Sequence, residues 1–359
     1  MSRRRGRRAG RNDELLQGLL LVDKPAELTS HDVCQRVRSR LRLGKVGHGG
    51  TLDPFATGLL PLLINGATRL MPELQAEEKV YLATIRLGQR TDTMDPTGEV
   101  LEEADASGVD DGAIAEVLAG FLGTQVQVIP RYSAARVDGK RLYEYAREGE
   151  EVELPTKEVT IHALDLLETR REGTLVDLDV RVHCTSGTYV RALADDVGQK
   201  LGVGAHLSSL RRTSIGTLDI ARAIPLDAID VQATLWRDAR NVREESGEPE
   251  RFDPTQNSAV WREFLGDALM PVREMLGGVP ALRVPAALGE RVRGGSPLRK
   301  GELESLGEEL PRFLPGDRMT IEDADGTRTL AVVRANCARD ALPRRPDSAV
   351  VLEIERVLR

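Results

Sequence analysis

The stretch GHGGTLDPFATGLLP, residues 47–61, gathers four glycines, three of them ahead of an aspartate set against a proline, and one of the chain's five histidines. Two of its side chains can do chemistry, the Asp53 carboxylate and the His48 imidazole. A carboxylate can attack, take a proton or hold a cation. Its bland use is a helix N-cap, and Asp followed by Pro at the first helical position is an ordinary helix opening. Gly47, Gly49 and Gly50 weigh on the side of chemistry, because glycine lets a backbone approach a ligand closely and take positive φ. His48 and Asp53 are a conceivable metal pair, yet no second His/Cys/Asp/Glu cluster has ligand spacing, so no metal is expected. A Walker A loop needs GxxxxGK[ST], and neither that nor GxGxxG occurs. Neither a GxSxG elbow nor a Cys/His nucleophile signature appears.

A second stretch, CTSGTYVRALADDVG (184–198), supplies a counter-charge. Tyr189 and Arg191 lie two apart, so at the end of a strand they point the same way. An arginine aimed into a cleft pairs with a carboxylate and holds it ionised, lowering its pKa by about 1–3. The bland alternative is a surface arginine at a helix start. Asp195 and Asp196 read as solvated helix face. Aromatic residues make up only 3% of the chain, so the position of the five tyrosines (Tyr81, Tyr132, Tyr143, Tyr145, Tyr189) is informative. Several interleave with the basic residues of RYSAARVDGKRLYEYAR (131–147). A base stacked on an aromatic ring gains about 1–3 kcal/mol, so this segment fits RNA; tyrosines in half-buried strands are the plain alternative.

The elements around these residues follow from pattern. GLLLVDKP (18–25) is a buried strand ended by Lys-Pro. LTSHDVCQRVRSRLRL is a helix that Ser30 can cap, with Val33, Val37 and Leu41 on one face. VYLATIRLG (80–88) and LVDLDVRVHC (175–184) alternate as strands, with the turn DTMDPTGEV after the first. DDGAIAEVLAGFLG reads as a helix with Gly123 just past its end, and GTYVRALADDVGQKLG as one closed by Gly202. Residues 237–258 turn polar and acidic, as a loop or linker does. After about 270, RMTIED, TLAVVRA and SAVVLEIERVL are short strands of a small β-rich domain. Strands and helices before that point lack βαβ alternation, which predicts α+β.

At 359 residues, 40% hydrophobic and 30% charged, the chain is expected to be soluble with two domains. No apolar run approaches the ~18 residues of a membrane span, and the arginine-rich start lacks a secretory apolar stretch. Three separated cysteines suit a reducing cytoplasm. The net charge of −7 does not by itself announce a nucleic-acid binder, but phosphates sense the local field.

Taken together, these motifs resemble those of the bacterial tRNA pseudouridine-55 synthases, the TruB family of pseudouridine synthases, whose relatives include guide-RNA enzymes of the dyskerin type. GHGGTLDPFATGLLP is similar to the family's catalytic-aspartate motif and GLLLVDKPAELTSHDV to its N-terminal motif. KVYLATIRLGQRTDTMDPTGEV is similar to its tyrosine-bearing strand with the TDT turn. IPRYSAARVDGKRLYEYAREGEEV, HCTSGTYVRALADDVG and LGVGAHLSSLRRTSIG follow in the family's order, and the matching runs span about 18–226.

The resemblance implies a mixed, largely antiparallel sheet of the pseudouridine synthase fold with flanking helices, plus a small C-terminal PUA-like domain. The expected division is a basic disordered tail 1–13, a catalytic domain 14–236, an insertion or linker 237–269 and an RNA-binding unit 270–359. It implies that Asp53 is catalytic, that His48 attends the flipped uridine or its gap, and that Tyr81 stacks on the target base. Tyr189 becomes the active-site tyrosine, Arg191 the partner of the aspartate, and Leu210 an apolar wall. Arg136, Lys140, Arg141, Arg211 and Arg212 are expected at RNA phosphates. The implied reaction isomerises uridine 55 of the tRNA T arm without cofactor or metal. The chain is then expected to act as a cytoplasmic monomer with no protein partner. A non-catalytic tRNA chaperone and a guide-RNA-dependent rRNA synthase are the alternatives.

Overall fold

The computed structural model describes residues 16–245, 254–307 and 310–358; the arginine-rich tail and residues 246–253 of the expected loop lie outside them. One mixed sheet of eleven strands carries the larger part of the chain. In chain order its strands are β1 (Gly18–Lys24), β2 (Val46–His48), β3 (Thr57–Ile64), β4 (Lys79–Leu87) and β5 (Gly123–Val128), then β6 (Thr156–Glu172), β7 (Leu175–Cys184), β8 (Ala205–Ile215), β9 (Ile224–Pro225) and β10 (Leu269–Met270), with Leu218–Asp219 pairing β8. Across the sheet the order is β9-β1-β3-β8-β4-β7-β6-β5. β8 runs parallel to β3, and β9 to β1, while the remaining ladders are antiparallel. The expected α+β, largely antiparallel sheet is what forms.

Residue pattern explains which strands are buried on one face and which on two. β4 and β7 alternate, sending Ile85 and Val180 into a core with Leu118 and Leu193. Those last two come from α2 (Asp111–Ala119) and α4 (Val190–Leu201), with the short α3 (Leu142–Glu148) between them in the sequence. β1 and β3 read as continuous apolar runs because both faces are covered. On one side lie α1 (Ser30–Arg40) and the helices Leu226–Glu245 and Pro254–Leu265. On the other lie Val332 and Leu358 of the C-terminal unit.

Several boundaries differ from the sequence expectation. Thr29, not Ser30, caps α1 in a reciprocal box with Asp32. α2 stops at Gly120, and Gly123 instead opens β5 at φ 92°. The expected loop at 237–258 is partly helix, because Leu226–Glu245 runs into it and Pro254–Leu265 begins within it. Asp53-Pro54 opens no helix; residues 51–56 are irregular and lead into β3. Asp195 is buried on α4 and paired with Arg90 at 2.8 Å, so it is not solvated face.

β5 is an edge strand with inverted polarity. In TQVQV, Val126 and Val128 face outward, 70% and 52% exposed, while Gln127 is turned inward at 5%. Burying such a valine is worth about 1.5–3 kcal/mol, and a slip of one residue exchanges the two faces of a strand.

The C-terminal unit is a five-stranded sheet that begins at Ala281 and includes Arg318–Glu322, Thr329–Ala335 and Val350–Val357. It packs onto the eleven-stranded sheet through Val332 and Leu358 against Leu19, Leu21 and Leu63. Arg318 grips Glu73 with two hydrogen bonds of 3.0 and 3.1 Å, and Thr329 donates its N–H to Gln17 Oε1.

Candidate active site

Asp53 sits on an irregular turn whose carbonyls are gathered by two buried cations. Lys24, at the end of β1, donates to Pro25 O, Pro54 O and Ala56 O at 2.8, 3.1 and 2.6 Å. Arg212 of β8 donates to Gly50 O, Thr51 O and Leu59 O at 3.0, 3.4 and 2.8 Å. Ser30, freed from capping, accepts from Leu52 N–H at 2.8 Å and donates to Leu52 O at 3.1 Å. The residue before Asp53 is thereby fixed at both main-chain groups. Burial pulls the Lys24 ammonium down to about 8, with the Asp53 charge opposing.

Of the three glycines ahead of Asp53, Gly49 serves packing, and Gly50 has room for a Cβ, its nearest neighbour being Arg212 Nη1 at 3.5 Å. None of Gly47, Gly49 and Gly50 takes positive φ. A Cβ on Gly49 would meet Leu74 Cδ1 at 2.7 Å and Leu74 Cβ at 3.0 Å, which holds that position small, whereas at Gly47 the close atom is the movable end of Met71, Cε at 2.7 Å. The glycine that needs its freedom is Gly58, at φ 101° with Arg212 O 2.3 Å from where its Cβ would stand.

Arg191 meets Asp53 from the first turn of α4, not from a strand end. It is 3% exposed, and its Nε lies 2.9 Å from Asp53 Oδ2, with Nη2 3.4 Å from Oδ1. The remaining donors reach Thr93 O at 2.9 Å and Tyr132 O at 3.0 Å, and Nη1 lies 3.4 Å from Asp95 Oδ2. Asp95 is itself fixed by the Thr93 and Thr97 hydroxyls at 2.7 and 2.6 Å. The guanidinium therefore has two carboxylates and two carbonyls around it, which satisfies a buried fork.

The expected lowering of the Asp53 pKa is not the net outcome. Burial pushes the carboxyl above its ordinary range, Arg191 pulls it down, and Asp95 pushes it up again. The side chain keeps 34% of its surface open toward the cleft, which leaves it reachable.

Asp53 lines a cleft of about 270 Å³ together with Tyr81, Tyr189, Arg191 and Leu210, so these five expected residues are brought to one place. Burial raises the Tyr81 and Tyr189 phenols, which keeps both neutral at ordinary pH. Gln127 reaches in behind Tyr189. His48 does not line the cleft; its Nδ1 is buried without a partner, and burial with the Arg212 charge lowers its pKa.

The expected phosphate contacts divide. Arg212 is 1% exposed and committed to the loop carbonyls, so it is a structural cation. Arg211 alternates to the opposite face of β8 and forms a two-pronged pair with Asp23 at 2.7 and 3.0 Å. Lys140 is neutralised by Glu148 and Glu150. Arg136 bonds Gly139 O at 3.5 Å and Arg141 the Tyr143 hydroxyl at 2.9 Å, both side chains remaining exposed on the hairpin at 136–141.

Sequence reasoning missed Lys24, Asp95 and Gln127 as parts of this site. A lysine closing an apolar run was a usable signal for the first. Asp95 was visible only as turn chemistry, and Gln127 gave no signal. Among the described residues no group of three or more His, Cys, Asp or Glu can hold a metal.

Two family models match consecutive parts of the chain. TruB family pseudouridylate synthase (N terminal domain) covers residues 38–190, and the tRNA pseudouridylate synthase B C-terminal domain covers residues 191–276. The chain is 42% identical to tRNA pseudouridine synthase B of Burkholderia pseudomallei (strain 668) over 321 residues, 89% of this chain and 94% of that protein. It is 50% identical to tRNA pseudouridine synthase B of Corynebacterium efficiens over 218 residues, 61% of this chain and 73% of that one. Among solved structures, a Cbf5-Nop10-Gar1 complex matches with a TM-score of 0.57 at 25% identity, covering 96% of this chain and 85% of that one. With the ordered motifs and the Asp53–Arg191 cleft on one such sheet, the chain belongs to the TruB family of pseudouridine synthases.

Proposed function

We propose that this enzyme isomerises uridine 55 in the T arm of tRNA to pseudouridine, with Asp53 as its catalytic group. The reading rests on the fork by which Arg191 holds Asp53 at the floor of a cleft walled by Tyr81, Tyr189 and Leu210. Relatives carrying the name tRNA pseudouridine synthase B supply the substrate class.

The reaction breaks C1′–N1 and forms C1′–C5, with neither net oxidation nor hydrolysis, so side chains suffice. A uridine stacked in a loop must first be flipped out, at a cost of a few kcal/mol that pocket contacts offset. Tyr81 offers a ring face to the base, Leu210 closes the opposite wall, and Asp53 meets the sugar or the base. The Asp53 carboxylate either attacks C1′ or C6 or removes a sugar proton. His48, neutral and behind the loop, acts on the gap left in the RNA. Arg136 and Arg141 contact phosphates, which orient RNA without reading sequence. The C-terminal sheet serves as a PUA-like RNA-binding unit, and the chain works as a cytoplasmic monomer.

Asp53→Asn tests the reading. Isomerisation of unmodified tRNA should fall by about 10²–10⁴-fold or more, with binding of the same tRNA retained. Retained modification removes the assignment of Asp53, and the same outcome pattern separates an enzyme from a tRNA chaperone. The fold shared with a Cbf5-Nop10-Gar1 complex favours one second reading, a guide-dependent enzyme. The purified chain acting alone on tRNA, with product at position 55, decides against it.

A further inference from the structure

β5 turns a glutamine inward and two valines outward, the reverse of what burial alone selects. The reason lies at the tip of the amide. Gln127 Nε2 donates to Tyr189 O at 3.0 Å, and Gln127 Oε1 accepts from Tyr189 N–H at 2.8 Å. One side chain thus pairs with both main-chain groups of a single residue 62 positions away. Tyr189 is the N-cap of α4, and no side chain of its own caps that helix. What fixes the start of α4 is therefore supplied from the neighbouring edge strand. Tyr189 lines the cleft, and Arg191, two residues on, carries the fork that holds Asp53.

The structure assigns Gln127 as a positioning residue: its buried carboxamide clamps the backbone of Tyr189, and so sets where the Tyr189 ring and the Arg191 guanidinium stand against Asp53. It acts through those two residues and does not itself touch the reacting groups. The register of β5 is explained by this clamp, since shifting the strand by one residue would bury valine and withdraw the amide. The assignment rests on the reading of Asp53 as the reacting carboxylate. An active Asp53→Asn variant would remove that reading, whereas the clamp is judged on its own variants.

The test compares Gln127→Met, which keeps the length and loses both hydrogen bonds, with Val126→Thr on the outward face of the same strand. Single-turnover isomerisation of unmodified tRNA is measured across pH, alongside tRNA binding and Tm. For Gln127→Met the rate should fall by about 10–100-fold, the scale of a small misplacement of reacting groups, with much less change in binding. Its acid limb should also move to higher pH, because a displaced Arg191 no longer opposes the upward push of burial on Asp53. Val126→Thr should match the unsubstituted chain in all of these. A normal rate, a slow rate with the acid limb unmoved, or an equal effect of Val126→Thr overturns the assignment. If Gln127→Met does not fold, Gln127→Asn, one methylene short, takes its place; a shifted limb supports the clamp and an unshifted one overturns it.

Discussion

Lys24 has no exposed surface, and its ammonium directs its donors at three main-chain carbonyls beneath Asp53. Its folded-state pKa, about 8, lies below the ordinary 10.5, so between those values the unfolded chain binds more protons than the folded one. Stability from this residue therefore rises with pH above about 8 and is lost as pH falls through it. Lys24→Met should lower stability at neutral pH by about 1–3 kcal/mol, since it strands buried acceptors. The Tm gap between the two proteins should widen as pH climbs from about 8, which thermal melts across pH would show. A constant gap would mean that the ammonium is not buried in solution. Asp53 has the opposite sign. Its raised carboxyl adds stability at low pH that is lost as pH rises through the folded-state value, so ionising the proposed catalyst opposes the fold. That raised carboxyl also predicts that single-turnover activity falls away at a pH above the usual carboxylate range.

At the scale of elements, α4 carries the cleft's arginine and lies against the start of β8 with no room between them. A Cβ on Gly198 would stand 2.2 Å from Ala205 N and 2.4 Å from Ala205 Cβ. Gly198→Ala should cost about 1–3 kcal/mol as overpacking, and should slow the reaction because the displaced helix bears Arg191. A variant with unchanged Tm and rate would contradict that close approach. The same elements show what a sequence reveals. β4 and β7 were legible because a strand with one wet face alternates, and the stop of α4 because Gly202 takes φ 74° as a left-handed cap. Asp53 and Arg191 stood out by residue type, though their meeting is a property of two elements 138 positions apart. Neighbouring Arg211 and Arg212 looked alike as RNA contacts, yet alternation along β8 sends one to Asp23 and the other under the loop. Ser30 looked like a cap because its second task, the clamp on Leu52, depends on a loop 22 residues away. Gln127 was hidden because its inward turn is decided by Tyr189, not by local pattern.

The two sheets share a core at the scale of the whole molecule. Leu358 is fully buried with Leu19, Leu21 and Leu63, and Arg318 reaches Glu73 across the same junction. Leu358→Ala should cost about 2–5 kcal/mol and lower one shared unfolding transition. Calorimetry that resolved two transitions, only one of them shifted, would show the units to be independent. The strand order has a kinetic consequence. β3 and β4 are successive in the sequence but are separated in the sheet by β8, which is made more than a hundred residues later. Until β8 arrives, β4 lacks its neighbour and β3, already flanked by β1 and β2, lacks a partner only at Thr57 and Gly58; non-local pairing of this kind is slow because loop closure precedes any reward. The strand left waiting is β4, KVYLATIRL, whose two partners β7 and β8 are both made later, and such an unpaired strand is a hazard for misassembly on the ribosome. A nascent chain that ends before β8 has Asp53 but neither Leu210 nor the bed on which α4 sets Arg191, so the candidate site cannot close until residue 215 of the 359 has been made.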